Sequence, residues 1–234
     1  MSRGLFITFE GTEGCGKTTQ IKLLANRIES EFDVPIIVLR EPGGTPIGEE
    51  IRYILKHSPD NVAMTPEAEL LLMNASRAQL VREVIRPALK EGKIVLCDRF
   101  YDSTVAYQGY GRGLNLDDVY RVINIAVGDT RPDLTILLSI PLELSLQRRK
   151  VRNNSNNGEI NSTADKKNTN LRDRFEEADN DFFRRVHYGF EQIAKQEPQR
   201  IKVLDATKPI DEVFEEVWSI VKAYIQKFKQ NPDE

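Results

Sequence analysis

Residues 5–18 read Leu5-Phe6-Ile7-Thr8-Phe9-Glu10-Gly11-Thr12-Glu13-Gly14-Cys15-Gly16-Lys17-Thr18, an apolar run that stops at an acid and gives way to G-x-x-x-x-G-K-[ST]. The run from Leu5 to Phe9 predicts a short buried strand, and the residues after Lys17 predict a helix. Between a strand and a helix the glycine-rich turn has a mechanism. Its glycines let backbone N–H groups converge on phosphate oxygens, and the helix N-terminus adds positive potential. Lys17 is placed to reach the β and γ phosphates and Thr18 to ligate Mg²⁺. A site for ATP is expected over Gly11, Thr12, Glu13, Gly14, Cys15, Gly16, Lys17, Thr18 and Thr19.

Outward from this loop, apolar runs at Pro35 to Leu39, Ile94 to Cys97, Leu134 to Ile140 and Ile201 to Leu204 predict further buried strands. Stretches of helical period lie between them: Ile21, Leu24 and Ile28 before the second strand, and Leu80, Val84 and Pro87 to Leu89 before the third. Phe175, Phe182, Val186, Phe190 and Ile193 continue the pattern, and a last helix runs from Ile210 to about Phe228. Strands alternating with helices predict an α/β P-loop NTPase fold, a five-stranded parallel sheet with helices on both faces and a lid, as one domain over 1–234.

The third strand ends in Ile94-Val95-Leu96-Cys97-Asp98, as expected of a carboxylate that holds Mg²⁺ directly or through water; capping of the next turn is the alternative. Arg99 follows, where ATP-hydrolysing motors usually carry a glutamate that activates water. A cation there suits an anionic second substrate and favours transfer over hydrolysis. Ligands of open parallel sheets sit at the carboxyl ends of the strands, so the runs after the second and third strands are expected to share the crevice. Arg52 and Arg99 are placed to clamp a phosphate, with Ser103, Thr104, Tyr107 and Gln108 beside them supplying hydrogen bonds and a flat surface.

A further basic cluster, Gln147-Arg148-Arg149-Lys150-Val151-Arg152, precedes a polar stretch from Asn153 to Asn170 that reads as a mobile loop. Together they predict a lid over about 142–177, with Arg148 and Arg152 on one helix face. These arginines either close over the triphosphate or stabilise the end of a helix.

Glu41-Pro42-Gly43-Gly44-Thr45, Leu70 to Arg77 and Asp98-Arg99 through Gln108 together resemble the thymidylate kinase family, a resemblance that covers nearly the whole chain except the Asn-rich loop. It implies transfer of the γ-phosphate of ATP to dTMP, giving dTDP. In that family Arg52 and Arg99 would bind the monophosphate and Arg77 the thymine carbonyl. Ser103, Thr104 and Gln108 would line the base and sugar pocket, Glu13 would lie near the 3′-hydroxyl, and Glu41, Pro42 and Tyr107 would complete the dTMP site. Met73 stands where the family usually places a phenylalanine that stacks on the base, and reads equally as a ring cover or as helix core.

The family divides by whether its catalytic arginine lies in the P-loop or in the lid. Gly14 occupies the P-loop position, so the bacterial-type arrangement is implied, with Lys17, Arg99 and the lid residues Arg152 and Arg148 as the catalytic set. The resemblance also implies a homodimer. A kinase for another nucleoside monophosphate, and a nucleotide-dependent switch, remain as other readings; the chain lacks the N-K-x-D guanine motif, and an acceptor site has no purpose in a switch.

Thirty-three basic residues against 36 acidic leave a net charge of −3, which gives no global signal for a nucleic-acid or membrane partner. Cys15 and Cys97 form no C-x-x-C pattern, and with only His57 and His187 a histidine-built metal site is not expected. The N-terminal apolar run is too brief for a signal peptide, and a reducing cytoplasm is the expected location. Cys15 and Cys97 are expected to come close, because the first and third strands are neighbours in this fold.

Overall fold

The structure is a computed structural model that describes residues 3–148, 151 and 179–230. Arg152, the polar loop 153–170 and Phe175 lie outside the described residues. The predicted strands appear as β1 (Leu5–Glu10), β2 (Ile36–Arg40), β3 (Ile94–Asp98), β4 (Leu134–Ser139) and β5 (Ile201–Asp205). They form one parallel sheet in the order β2-β3-β1-β4-β5.

β1 is buried along its whole length, and its side chains alternate between two apolar layers. Leu5, Ile7 and Phe9 pack in one cluster with α1 (Lys17–Glu31) and with Val217 and Val221 of α9 (Ile210–Gln230). Phe6 packs in the other cluster. That layer contains α3 (Pro66–Leu80), which runs through a π-helical turn, Val81–Ile85, into α4 (Arg86–Lys90). It also contains α6 (Leu116–Val127) and α8 (Asn180–Gln196). α2 (Pro46–Lys56) lies against α3, α5 is the short Tyr101–Thr104, and α7 spans 142–148. Cys15 and Cys97 are free and buried, but they sit in the two different clusters rather than side by side. Adjacent strands did not make adjacent cysteines, because Cys15 lies on the loop beyond β1.

The helices differ at their starts in a way that marks the site. Thr45, Thr65, Asn115 and Asp179 cap α2, α3, α6 and α8 with side-chain acceptors. α1 starts instead at Gly16, in the left-handed region at φ 97°, with no side-chain cap, so its first N–H groups are left for a ligand.

Candidate active site

A cleft of about 460 Å³ opens at the carboxyl ends of the strands. It gathers Glu13, Gly14, Gly16, Lys17, Thr18 and Thr19 from the P-loop region with Glu41, Pro42, Arg52, Met73 and Arg77 from the β2–α3 side. Asp98, Arg99, Ser103, Thr104, Tyr107 and Gln108 come from the segment after β3. Of the other residues expected to bind ATP, Gly11 and Thr12 line a separate depression against α8, and Cys15 points into the core.

Lys17 is nearly buried, and its Nζ donates to the carbonyls of Gly11 and Thr12, both at 3.0 Å. Thr18 Oγ1 donates to Asp98 Oδ2 at 2.8 Å, which puts two hard oxygen donors together at the mouth of the P-loop. Arg99 adopts φ 70°, a region that costs a side-chain-bearing residue energy and persists only where surrounding contacts fix it. Its Nη1 donates to Gly11 O at 3.0 Å and Ser103 Oγ at 2.9 Å, and its Nη2 to Glu13 Oε1 at 3.0 Å. The Tyr107 hydroxyl donates to the other Glu13 oxygen at 2.6 Å, with Arg99 over the Tyr107 ring. Burial pushes the Glu13 carboxyl up, but Arg99, Lys17 and Tyr107 together overcome it and hold it below the usual carboxylate value.

The end of the cleft beside α3 is framed by buried ion pairs. Arg77, 2% exposed, donates from Nε to Glu41 Oε2 at 2.8 Å, from Nη1 to Asn74 Oδ1 at 2.8 Å and from Nη2 to Phe100 O at 3.2 Å. Glu41 Oε1 is buried with no hydrogen-bond partner among the described residues. Burial raises the Glu41 carboxyl's pKa despite Arg77. Met73 both lines the cleft and packs on the apolar cluster, so the two readings of it are not exclusive. Arg52 Nη1 donates to Pro42 O at 2.8 Å.

α7 is tied to the P-loop at two points. Ser145 Oγ donates to Glu13 O at 2.8 Å, and Arg148 Nη1 donates to Gly14 O at 2.9 Å. Gly14 has φ 73°, and a Cβ there would stand 2.9 Å from Arg148 Cβ, so glycine is what admits the helix.

Sequence reasoning missed several contributors. Glu10, fully buried at the end of β1, accepts from Phe100 N at 2.7 Å and Ser103 Oγ at 2.6 Å and so holds the loop that carries Arg99. Burial, then Asp102, push its carboxyl up to about 7 against the opposing pull of Arg99 and Ser103. Arg200 grips both Asp102 oxygens, at 2.7 and 2.8 Å, beneath the same loop. Arg40 and Lys56 also line the cleft. Glu10 was legible only as the acid that ended the first apolar run.

A P-loop with an uncapped helix, a Thr–Asp pair at its mouth and an arginine-lined acceptor pocket in one cleft define a P-loop phosphotransferase, an ATP-dependent nucleoside monophosphate kinase. A family model described as thymidylate kinase matches residues 9–217. The chain is 50% identical over 213 residues to the thymidylate kinase of Syntrophotalea carbinolica, covering 91% of this chain and 93% of that protein. It is 46% identical over 221 residues to that of Deinococcus radiodurans, covering 94% and 98%. A crystal structure of thymidylate kinase from Ehrlichia chaffeensis superposes with a TM-score of 0.70 at 31% identity, covering 94% of this chain and 99% of that one. The chain belongs to the thymidylate kinase family.

Proposed function

We propose that the chain transfers the γ-phosphate of ATP to dTMP, giving ADP and dTDP, with the two substrates meeting between the P-loop and Arg99. The single observation that carries this reading is the shared cleft: the P-loop lysine, the arginines placed for a monophosphate and the Arg77–Gln108 base end all line one cavity. Arg99 and Arg52 orient the acceptor phosphate for in-line attack, while Lys17 and the arginines of a lid over about 142–177 stabilise the transferring group. Within that lid Arg148 already rests on the P-loop, and Arg152 is assigned the same task from its place in the sequence. Thr18 and Asp98 are the residues that would hold Mg²⁺, which supplies charge neutralisation to the phosphates when bound. Glu13, positioned by Arg99 and Tyr107, is assigned to the sugar.

The working form is a homodimer in a reducing cytoplasm. Exposed Ile54 on α2, Leu71 on α3 and Ile125 on α6 support the first, and the two free cysteines the second. No helix among the described residues is long and apolar enough to cross a membrane.

A panel of nucleoside monophosphates, read by coupled ADP release, tests the assignment. Turnover is expected to be highest with dTMP, and preference for UMP or AMP would overturn it.

A further inference from the structure

We infer that Glu69 is a positioning residue that sets the pyrimidine selectivity of the cleft by fixing which end of the Gln108 amide faces the base. This rests on the reading that Gln108 meets the base. A glutamine amide presents a donor NH₂ at one end and an acceptor oxygen at the other. The two ends are nearly the same size, so packing alone does not choose between them. Glu69 on α3 is fully buried, and its Oε1 lies 2.8 Å from Gln108 Nε2.

Arg112 donates to both Glu69 oxygens, from Nε to Oε1 at 3.1 Å and from Nη2 to Oε2 at 2.9 Å, and its guanidinium lies 4.5 Å from the centre of the Phe182 ring. Oxygens that accept from a guanidinium in this way act as acceptors toward the amide as well. The NH₂ end of Gln108 is therefore committed to Glu69, and the carbonyl end is the one left for a ligand in the cleft that Gln108 lines.

Arg77 is fixed in the same manner by Glu41, Asn74 and Phe100 O, and it has only donors to offer. A donor from Arg77 beside an acceptor from Gln108 complements a pyrimidine with a carbonyl at C4 and a hydrogen on N3. It opposes one with an amino group at C4 and a bare N3. Glu69 thus selects thymine over cytosine through Gln108. Its place on α3 brings it to the π-helical turn Val105–Gly111, which carries Gln108 inward.

The test compares dTMP with 5-methyl-dCMP, which keeps the sugar, phosphate and methyl group and changes only N3 and the C4 substituent. Glu69→Gln keeps the shape but allows either end of its own amide to face Gln108. The preference in kcat/KM for dTMP over 5-methyl-dCMP is expected to fall about tenfold, through the KM of the acceptor, with the KM for ATP unchanged. In a Gln108→Ala background the same substitution is expected to leave that preference where Gln108→Ala put it.

An unchanged preference in folded Glu69→Gln, or an equal further loss in the Gln108→Ala background, would overturn the inference. Neutron diffraction of the wild-type chain with dTMP reads the same point without a substitution. Two deuterons on Gln108 Nε2 turned toward Glu69 support it, and two turned toward the base overturn it. Absence of dTMP turnover in the wild-type chain would instead remove the assignment of the acceptor.

Discussion

The two ends of the cleft hold their cations in different ways. Beside α3 Arg77, and behind it Arg112, are committed to the buried carboxylates of Glu41 and Glu69, and each guanidinium is fixed from several directions. At the P-loop end Arg99 is paired with Glu13 in the same manner, but Lys17 donates to the backbone carbonyls of Gly11 and Thr12 and Arg148 to that of Gly14. A cation is held less strongly by a neutral carbonyl than by a carboxylate, so a phosphate competes for Lys17 and Arg148 more easily than a ligand competes with Glu41 for Arg77. The α3 end is set before any ligand arrives. At the P-loop end, Lys17 and Arg148 rest on carbonyls that a phosphate can replace.

This contrast is broken most directly at Lys17. Lys17→Ala is expected to lower kcat by about 10³-fold while leaving dTMP affinity and thermal stability near wild type, as read by coupled assay, calorimetry and melting. Turnover within tenfold of wild type would mean that the P-loop end does not depend on its movable charge.

Arg77→Ala tests the opposite end. Removing one partner of a buried pair costs about 3–5 kcal/mol because Glu41 is left uncompensated, so the melting temperature is expected to drop by roughly 10 °C along with dTMP affinity. A stable variant that has lost only affinity would make the α3 end as provisional as the P-loop.

The smallest effect is expected at Glu10, which underlies both ends. Its folded pKa of about 7 lies above the ordinary 4.5, so the native state binds the extra proton between those values. The stability this contributes is complete below about pH 4.5 and is lost as the pH rises through about 7. Glu10→Gln lacks this dependence, so its melting temperature relative to wild type is expected to improve from pH 5 to pH 8. A difference that stays flat across that window would return Glu10 to the ordinary carboxylate range.

Legibility from sequence followed the same division. β1 and the P-loop were readable because a buried strand, a glycine turn and a helix start are consecutive, and their chemistry is local. Asp98, Arg99 and Gln108 were readable because they follow a strand whose carboxyl end must face the cleft. Glu69 was not. A single acid in a helical stretch looks like any solvated charge until α3 folds against the turn that carries Gln108, 39 residues away. Glu10 was hidden for a related reason: only the return of Phe100 and Ser103 to it turns a strand-end acid into a buried acceptor. Cys15 and Cys97, expected to come close, fall in different apolar layers, because strand adjacency says nothing about where a side chain on the following loop points.

The close approach of Gly14 and Arg148 bears on how such kinases diverge. Any side chain at position 14 collides with the present seat of Arg148, so a chain of this kind cannot acquire a P-loop arginine there without also moving α7. A single substitution there therefore displaces Arg148 from Gly14 O and loosens α7 from the P-loop. On the reading proposed above, a side chain at position 14 and Arg148 in its present seat exclude each other in space.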